Sequence, residues 1–432
     1  MSGPPPSRIS VVSESPSRQP VHTVYGGAHL FSSDAAQKLG ALALRALNDF
    51  APDATALAAA FELPPSLAAR IHPRVVDKLT REPVEDFRID FEDGFGNRPD
   101  DEEDRFARSA ADEVAKGMAA GTLPAGIGIR IKNLGPELAR RSLRTFDLFL
   151  SHVIERSRGA LPANFVVTLP KITAPEQVTA MTAACDTFER AHGLAAGTLK
   201  FELMIETPQS IFAADGTVAL PRLIAEGRGR IVSAHFGTYD YTAACGITAA
   251  YQHMRHPVCD FAKSVMQVAL AGTAIHMSDG ATNVMPVGPH RAASAGSLSA
   301  AHRAENAAVV HSAWRLHAED ARHSLITGFY QGWDVHPAQL PSRYVTVYAF
   351  FLEGLDAASK RLRHFVQQAA QATLVGDVFD DAATGQGLLN YFLRALNCGA
   401  ITEGEAQELS GLSLDELRGK SFVAILNNRR GR

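Results

Sequence analysis

The sequence predicts an α/β fold, a (β/α)8 TIM barrel with a helical C-terminal extension, and three observations carry that expectation. Eight short apolar or β-branched runs recur from about residue 21 onward. Each is followed by a longer Ala/Leu/Arg-rich stretch of helical character, the alternation that gives parallel βαβ units. Beyond residue 340 the strand signal stops and only helical spacing remains.

In chain order the runs are "VHTVYGGAHLF" (21–31), "DFRIDFEDGF" (86–95), "GIGIRIKNL" (126–134) and "NFVVTLPKI" (164–172), then "KFELMIETP" (200–208), "RIVSAHFGTYDY" (230–241), "GTAIHMSDGAT" (272–282) and "SLITGFYQGWDVHP" (324–337). The gap between the first two is longer than a single crossover helix needs. The His-rich segment 302–323 has helical spacing and Ala packing and reads as the seventh crossover helix. "YVTVYAFFLEGLDAASKRLRHFVQQAAQATL" and "SLDELRGKSFVAIL" supply the extension. The expected organisation is a disordered Pro/Ser-rich tail over 1–20, a barrel over 21–340 and helices over 341–432.

Composition narrows the partners. Charged residues make up 20% and the formal net charge is −4, so no field favours nucleic acid or an anionic membrane, and small molecules are the expected ligands. Cys185, Cys245, Cys259 and Cys398 lie far apart without a C-x-x-C pair, which speaks against a disulfide framework and fits a reducing cytoplasm. No run approaches the roughly 20 apolar residues of a membrane span, and the N-terminal segment lacks the apolar core of a signal peptide.

In a barrel of this kind the chemistry sits at the C-terminal ends of the strands. The second run ends on Glu92 and Asp93, the third carries Arg130 and Lys132, and the fourth ends on Lys171. The next four end on Glu206, Asp240, Asp279 and the pair Asp334 and His336. So many charges at one mouth need something to neutralise them, because each unpaired buried ion costs several kcal/mol. Glu206 and Asp240, on neighbouring strands, suit a hard divalent cation completed by waters and substrate oxygens, with Mg2+ the natural candidate and Mn2+ an alternative. Arg130 offers a planar fork for a substrate carboxylate. A 2-oxo acid would then sit between Arg130 and the cation, its enolate stabilised as it forms.

The motifs "DFEDG", "IRIKN", "LPKI", "MIETPQS", "GTYDY" and "GWDVHPAQL", in this order over about residues 85–340, resemble those of the citrate lyase beta subunit and HpcH/HpaI aldolase group, within the phosphoenolpyruvate/pyruvate-type barrels. "IETP" followed by "GTYDY", and the stretch after it, also resemble malate synthases. The resemblance implies Mg2+ ligation by Glu206 and Asp240, substrate carboxylate binding by Arg130, and a place for Glu92 and Asp93 beside the metal or in acid/base work. It further implies a carbon–carbon lyase or aldolase working through a metal-stabilised enolate of a 2-oxo acid or acyl thioester, in a homo-oligomer. A malate synthase-like Claisen condensation of acetyl-CoA with glyoxylate is the alternative enzyme. A barrel that binds a ligand without turnover is the alternative class. No motif binds coenzyme A by its chemistry alone, so a coenzyme A thioester enters only as a substrate.

The remaining candidates each have two readings. Lys171 is read as a polar, substrate-binding wall of the site rather than a Schiff-base lysine, since a metal-dependent site needs no imine. Asp279 is either a base that joins Glu92 and Asp93 in moving a proton or a helix N-cap. His336 with Asp334 either orients the site or belongs to the turn at Pro337, and His235 is either a proton donor or a satisfied polar residue under the mouth. His253, His256, Cys259 and Asp260 superficially suggest zinc, but Pro257 breaks any helix that would align the histidines.

Overall fold

The structure is a computed structural model, and it describes residues 18–291, 298–371, 382–419 and 421–430. The tail expected over 1–20 therefore lies outside the described residues up to position 17. Eight parallel strands close in sequence order into a barrel: β1 (His22–Gly27), β2 (Asp86–Asp90), β3 (Gly126–Arg130), β4 (Phe165–Leu169), β5 (Lys200–Ile205), β6 (Ile231–Phe236), β7 (His276–Ala281) and β8 (Gln331–Asp334). β8 pairs with β1, His22 opposite Gly332, so no edge is left open. This is the (β/α)8 barrel that the sequence predicts, and each of the eight runs contains its strand.

The helices form where the sequence provides starts and stops. The long first crossover holds three of them, Ala35–Phe50, Ala54–Phe61 and Pro65–Arg81; Asp53 caps the second by accepting the Ala56 N–H at 2.8 Å. The helix Asp100–Ala120 carries four acidic residues in its first turn, favourable against the helix dipole, and stops at Gly121 with φ 66°. The seventh crossover is one helix, Ala300–Ile326, started by Ser299. β5 ends where Thr207 caps the short helix Pro208–Ile211, which leaves Glu206 as the last residue before the turn.

Strand alternation sorts side chains into two layers. On β2, Phe87 faces the helices: with Val24, Phe31, Leu39 and Leu340 it lines a cavity of about 360 Å³ on the outer side of β1. Arg88, next in sequence, crosses the barrel interior to Glu202 on β5. Two compact units are separable. Pro20–Leu270 with Ile275–Val347 contains the whole barrel. The other unit holds Ala271–Ala274 and the chain from Tyr348, including Glu403–Ser410, Leu414–Arg418 and Phe422–Arg430, all helical. Among the described residues no helix is long and apolar enough to cross a membrane.

Candidate active site

The barrel carries two ionic clusters, one inside and one at the mouth. Inside, the Arg88 guanidinium binds both oxygens of Glu202, Nε to Oε1 at 2.9 Å and Nη2 to Oε2 at 2.8 Å, while Nη1 reaches Asp86. Thr168 donates to Glu202 at 2.5 Å, and His235 Nε2 stands 3.2 Å from it. The Tyr25 hydroxyl lies 3.1 Å from His235 Nδ1. Burial would push the Glu202 carboxyl up, but the charges of Arg88 and then His235, with the hydrogen bonds of Arg88 and Thr168, hold it down to about 2. Burial lowers the basicity of His235, which lies under the mouth with Nδ1 on the Tyr25 hydroxyl and Nε2 in ion-pair range of Glu202 without hydrogen-bond geometry.

Above this layer the Arg130 guanidinium stands 5.0 Å over the Tyr25 ring. Asp90 takes its Nε and Nη2 as a bidentate pair, the first at 2.7 Å. Nη1 faces Glu92 at 3.2 Å and Asp93 at 3.6 Å. Glu92 Oε2 is in ion-pair range without hydrogen-bond geometry, so this edge of the fork is the one open to exchange. Asp90 was not among the sequence candidates. Its signal was there: it shares the inward parity of Arg88 and sits opposite Arg130 in the β2–β3 register.

Lys171 lies at the end of β4 with φ 50°, in the left-handed region. Its N–H donates to Glu206 Oε1 at 2.7 Å, and its Nζ reaches Glu92 at 2.5 Å and Asp93 at 2.9 Å, with Asp240 at 3.9 Å. Burial opposes its charge, but Glu92 and Asp93 raise its affinity for a proton well above that of an ordinary lysine. Burial pushes the Glu92 carboxyl up, Asp93 adding to the effect, whereas Arg130 and Lys171 draw the more exposed Asp93 down.

Glu206 is buried, 1% exposed, and its carboxyl is pushed up to about 8, first by burial and then by the charge of Asp240. The chain closes tightly around it: a Cβ on Gly237 would meet Glu206 Oε2 at 2.6 Å. Asp240, on the short helix Thr238–Ala244 that follows β6, is 44% exposed. Thus the structure brings Glu92, Asp93, Arg130, Lys171, Glu206 and Asp240 together.

Four expected members of the mouth are elsewhere. Asp279 turns outward, its Oδ2 accepting from Lys263 at 2.9 Å and from Ser324 at 2.6 Å on two crossover helices. It does not cap a helix and cannot join Glu92 and Asp93 in proton transfer from there. Lys132 turns outward to Glu103 and the Phe91 carbonyl. Asp334 is held in the helical layer by His22, His317 and Arg343, which keep it ionised against its burial. His336 accepts the Ala338 N–H in the turn Pro337–Gln339, the structural one of its two readings. Of the zinc-like stretch, His253 and His256 precede the helix Pro257–Leu270, and Asp260 pairs with Lys263 and His323.

Among the described residues no three His, Cys, Asp or Glu side chains converge as a ready-made metal cage. The mouth nonetheless fits a divalent ion. Counted as ionised, Asp90, Glu92, Asp93, Glu206 and Asp240 bring five negative charges against two positive ones, Arg130 and Lys171. A buried carboxylate raised by its carboxylate neighbour is a group short of a counter-charge, and two such oxygens with water and substrate suit Mg2+.

Solved structures similar to the chain include malate synthase of Haloferax volcanii, at 13% identity and a TM-score of 0.45 over 93% of this chain and 96% of that one. Another is protein CitE of Mycobacterium tuberculosis in complex with magnesium and acetate, at 15% identity and a TM-score of 0.40 over 78% and 91%. A third is an HpcH/HpaI aldolase/citrate lyase family protein of Burkholderia cenocepacia J2315, at 13% identity and 0.40 over 80% and 95%. These are the groups that the sequence motifs resemble. No curated protein matches the chain. The family model that matches, over residues 11–425, is described as a domain of unknown function, and the chain belongs to that family, DUF6986.

Proposed function

We propose that this chain is a Mg2+-dependent enzyme that makes or breaks a carbon–carbon bond next to a carbonyl, acting on a 2-oxo acid or an acyl thioester. The observation that carries the reading is Glu206: a buried carboxyl at the C-terminal mouth of a barrel, raised to about 8 by burial and by Asp240, with an arginine fork nearby. Glu206 and Asp240 would hold the ion. Bound there, it would supply Lewis-acid stabilisation of negative charge developing on a carbonyl oxygen.

The chain's own residues do the rest. Asp90 fixes one edge of the Arg130 guanidinium and leaves Nη1 to meet a substrate carboxylate in place of Glu92. The Tyr25 ring under Arg130 limits how far the fork can sink. Asp93, 56% exposed and kept ionised by Arg130, is the carboxylate we assign to take up a proton from the substrate carbon. Glu92, buried and raised, is the partner better able to keep one. The malate synthase-like condensation of acetyl-CoA with glyoxylate remains the second reading, on the strength of "IETP" followed by "GTYDY".

The test is proton NMR of pyruvate, oxaloacetate and acetyl-CoA in heavy water with the protein, with and without Mg2+. Metal-dependent loss of signal at the carbon beside the carbonyl is expected, and the compound that exchanges identifies the nucleophile. Ligand binding with no exchange in any of the three, at any Mg2+ concentration, would move the assignment to a binding barrel.

A further inference from the structure

Lys171 does more at the mouth than line it. For a residue with a long side chain, φ 50° is sparsely populated backbone, and such outliers persist where the surroundings hold them. Here the unusual backbone lets one residue address the carboxylates from both of its ends. The main-chain N–H takes Glu206 at 2.7 Å, while the ammonium takes Glu92 and Asp93 and stands 3.9 Å from Asp240. The ammonium thus touches the two carboxylates beside the metal position and approaches Asp240, one of its two holders, while the neutral main-chain N–H meets the other, Glu206.

The two cations of the mouth differ in how firmly they are held. Arg130 is 5% exposed, stacked on Tyr25 and locked to Asp90. Lys171 is 28% exposed, a point charge on a flexible four-carbon stem. A hard divalent ion satisfies carboxylate oxygens better than one ammonium does, whereas carboxylates with no cation repel each other.

We propose that Lys171 is a built-in counter-cation, which holds the mouth carboxylates together until a divalent ion arrives and then swings toward solvent. This rests on the metal reading above. The lysine is a positioning residue: it keeps Glu92, Asp93 and Asp240 gathered, and its exposed stem gives it a way out. A further consequence is that metal occupancy frees an ammonium beside the substrate position, where a second carboxylate or a phosphate on the substrate could meet it.

The test uses the full chain and Mn2+, followed by the electron paramagnetic resonance signal of the free ion, in the wild type and in Lys171→Met, Lys171→Arg and Asp240→Ala. The Mn2+ dissociation constant should fall about tenfold in Lys171→Met, the order expected from removing a competitor held by partly exposed ion pairs. It should stay near the wild-type value in Lys171→Arg. In parallel, acetic anhydride labelling of the wild type, read by mass spectrometry, should increase several-fold at Lys171 when Mg2+ is added. The exposed Lys116 serves as the control that should not change. Because that second measurement uses the unaltered protein, it stands even if Lys171→Met folds poorly. Mn2+ binding that Asp240→Ala abolishes but Lys171→Met leaves unchanged, with labelling insensitive to Mg2+, would overturn the exchange and keep the metal site. No Mn2+ binding by the wild type would overturn both.

Discussion

The interior and the mouth of the barrel use the same residue types to opposite ends. Inside, Arg88 meets Glu202 edge to edge and also reaches Asp86, while Thr168 and His235 complete the set, and Glu202 stays ionised down to about 2. At the mouth the carboxylates outnumber the cations, and Glu206 is pushed up to about 8. A buried cluster in which both carboxylates touch the guanidinium is compatible with a structural role alone. One that holds a buried carboxyl raised by a like charge costs stability, which a barrel has reason to keep where a ligand corrects it.

The largest effect should come from breaking the interior cluster. Arg88→Ala leaves Glu202 buried without its arginine, and urea unfolding should show a loss of roughly 3–5 kcal/mol or no folded protein at all. Asp240→Ala should do the reverse: at the mouth it removes one of several repelling carboxylates, so the melting temperature without metal should hold or rise. Its cost should appear in function, as the loss of any Mg2+-induced melting shift and a fall in deuterium exchange of about a hundredfold or more. An Asp240→Ala protein that still gains stability from Mg2+ would displace the metal from this position. Arg130→Lys keeps the charge but loses the fork that Asp90 and the substrate share, so kcat/KM should drop by about tenfold to a hundredfold, the equivalent of roughly 1.5–3 kcal/mol.

The sharpest contrast is in pH. Glu202 has a folded-state value below its ordinary 4.5, so its stabilisation is present above 4.5 and disappears as pH falls toward 2. Glu206 has a folded-state value above 4.5, so the native chain holds its proton longer than the unfolded chain and stability falls as pH rises from 4.5 through 8. Melting curves recorded without divalent metal should therefore show a declining neutral limb that Glu206→Gln flattens. Mg2+ should flatten the same limb in the wild type. A neutral limb identical in wild type and Glu206→Gln would count against the strained carboxyl.

What the sequence made legible follows from what is local. The eight strands stand out because β-branched runs stop at Gly, Pro and capping residues, as at Thr207 and Pro208 after Glu206. Glu206, Asp240, Arg130 and the Glu92/Asp93 pair could be singled out because each ends a run or follows one closely. Asp279 and Asp334 met the same criterion and turned the other way. On β8 the neighbour of Asp334, Trp333, packs on Tyr25 with ring centroids 4.5 Å apart, so Trp333 faces inward and Asp334 faces the helices. Proximity to a strand end does not place a side chain at the mouth; the two-residue alternation has to agree as well. The interior cluster was out of reach for a different reason. Arg88 and Glu202 are 114 residues apart, and neither carries a local mark of its partner.

The Arg88–Glu202 pair has one more consequence. It joins β2 to β5, and so ties the first four strands to the last four across the barrel axis. Cut between β4 and β5, one fragment would keep Arg88 with only Asp86 to meet, and the other would carry Glu202 without the arginine and the Thr168 hydroxyl that it binds. Neither half is then self-sufficient, yet each is a specific complement for the other, so a split version of the barrel should reassemble only with its own missing piece.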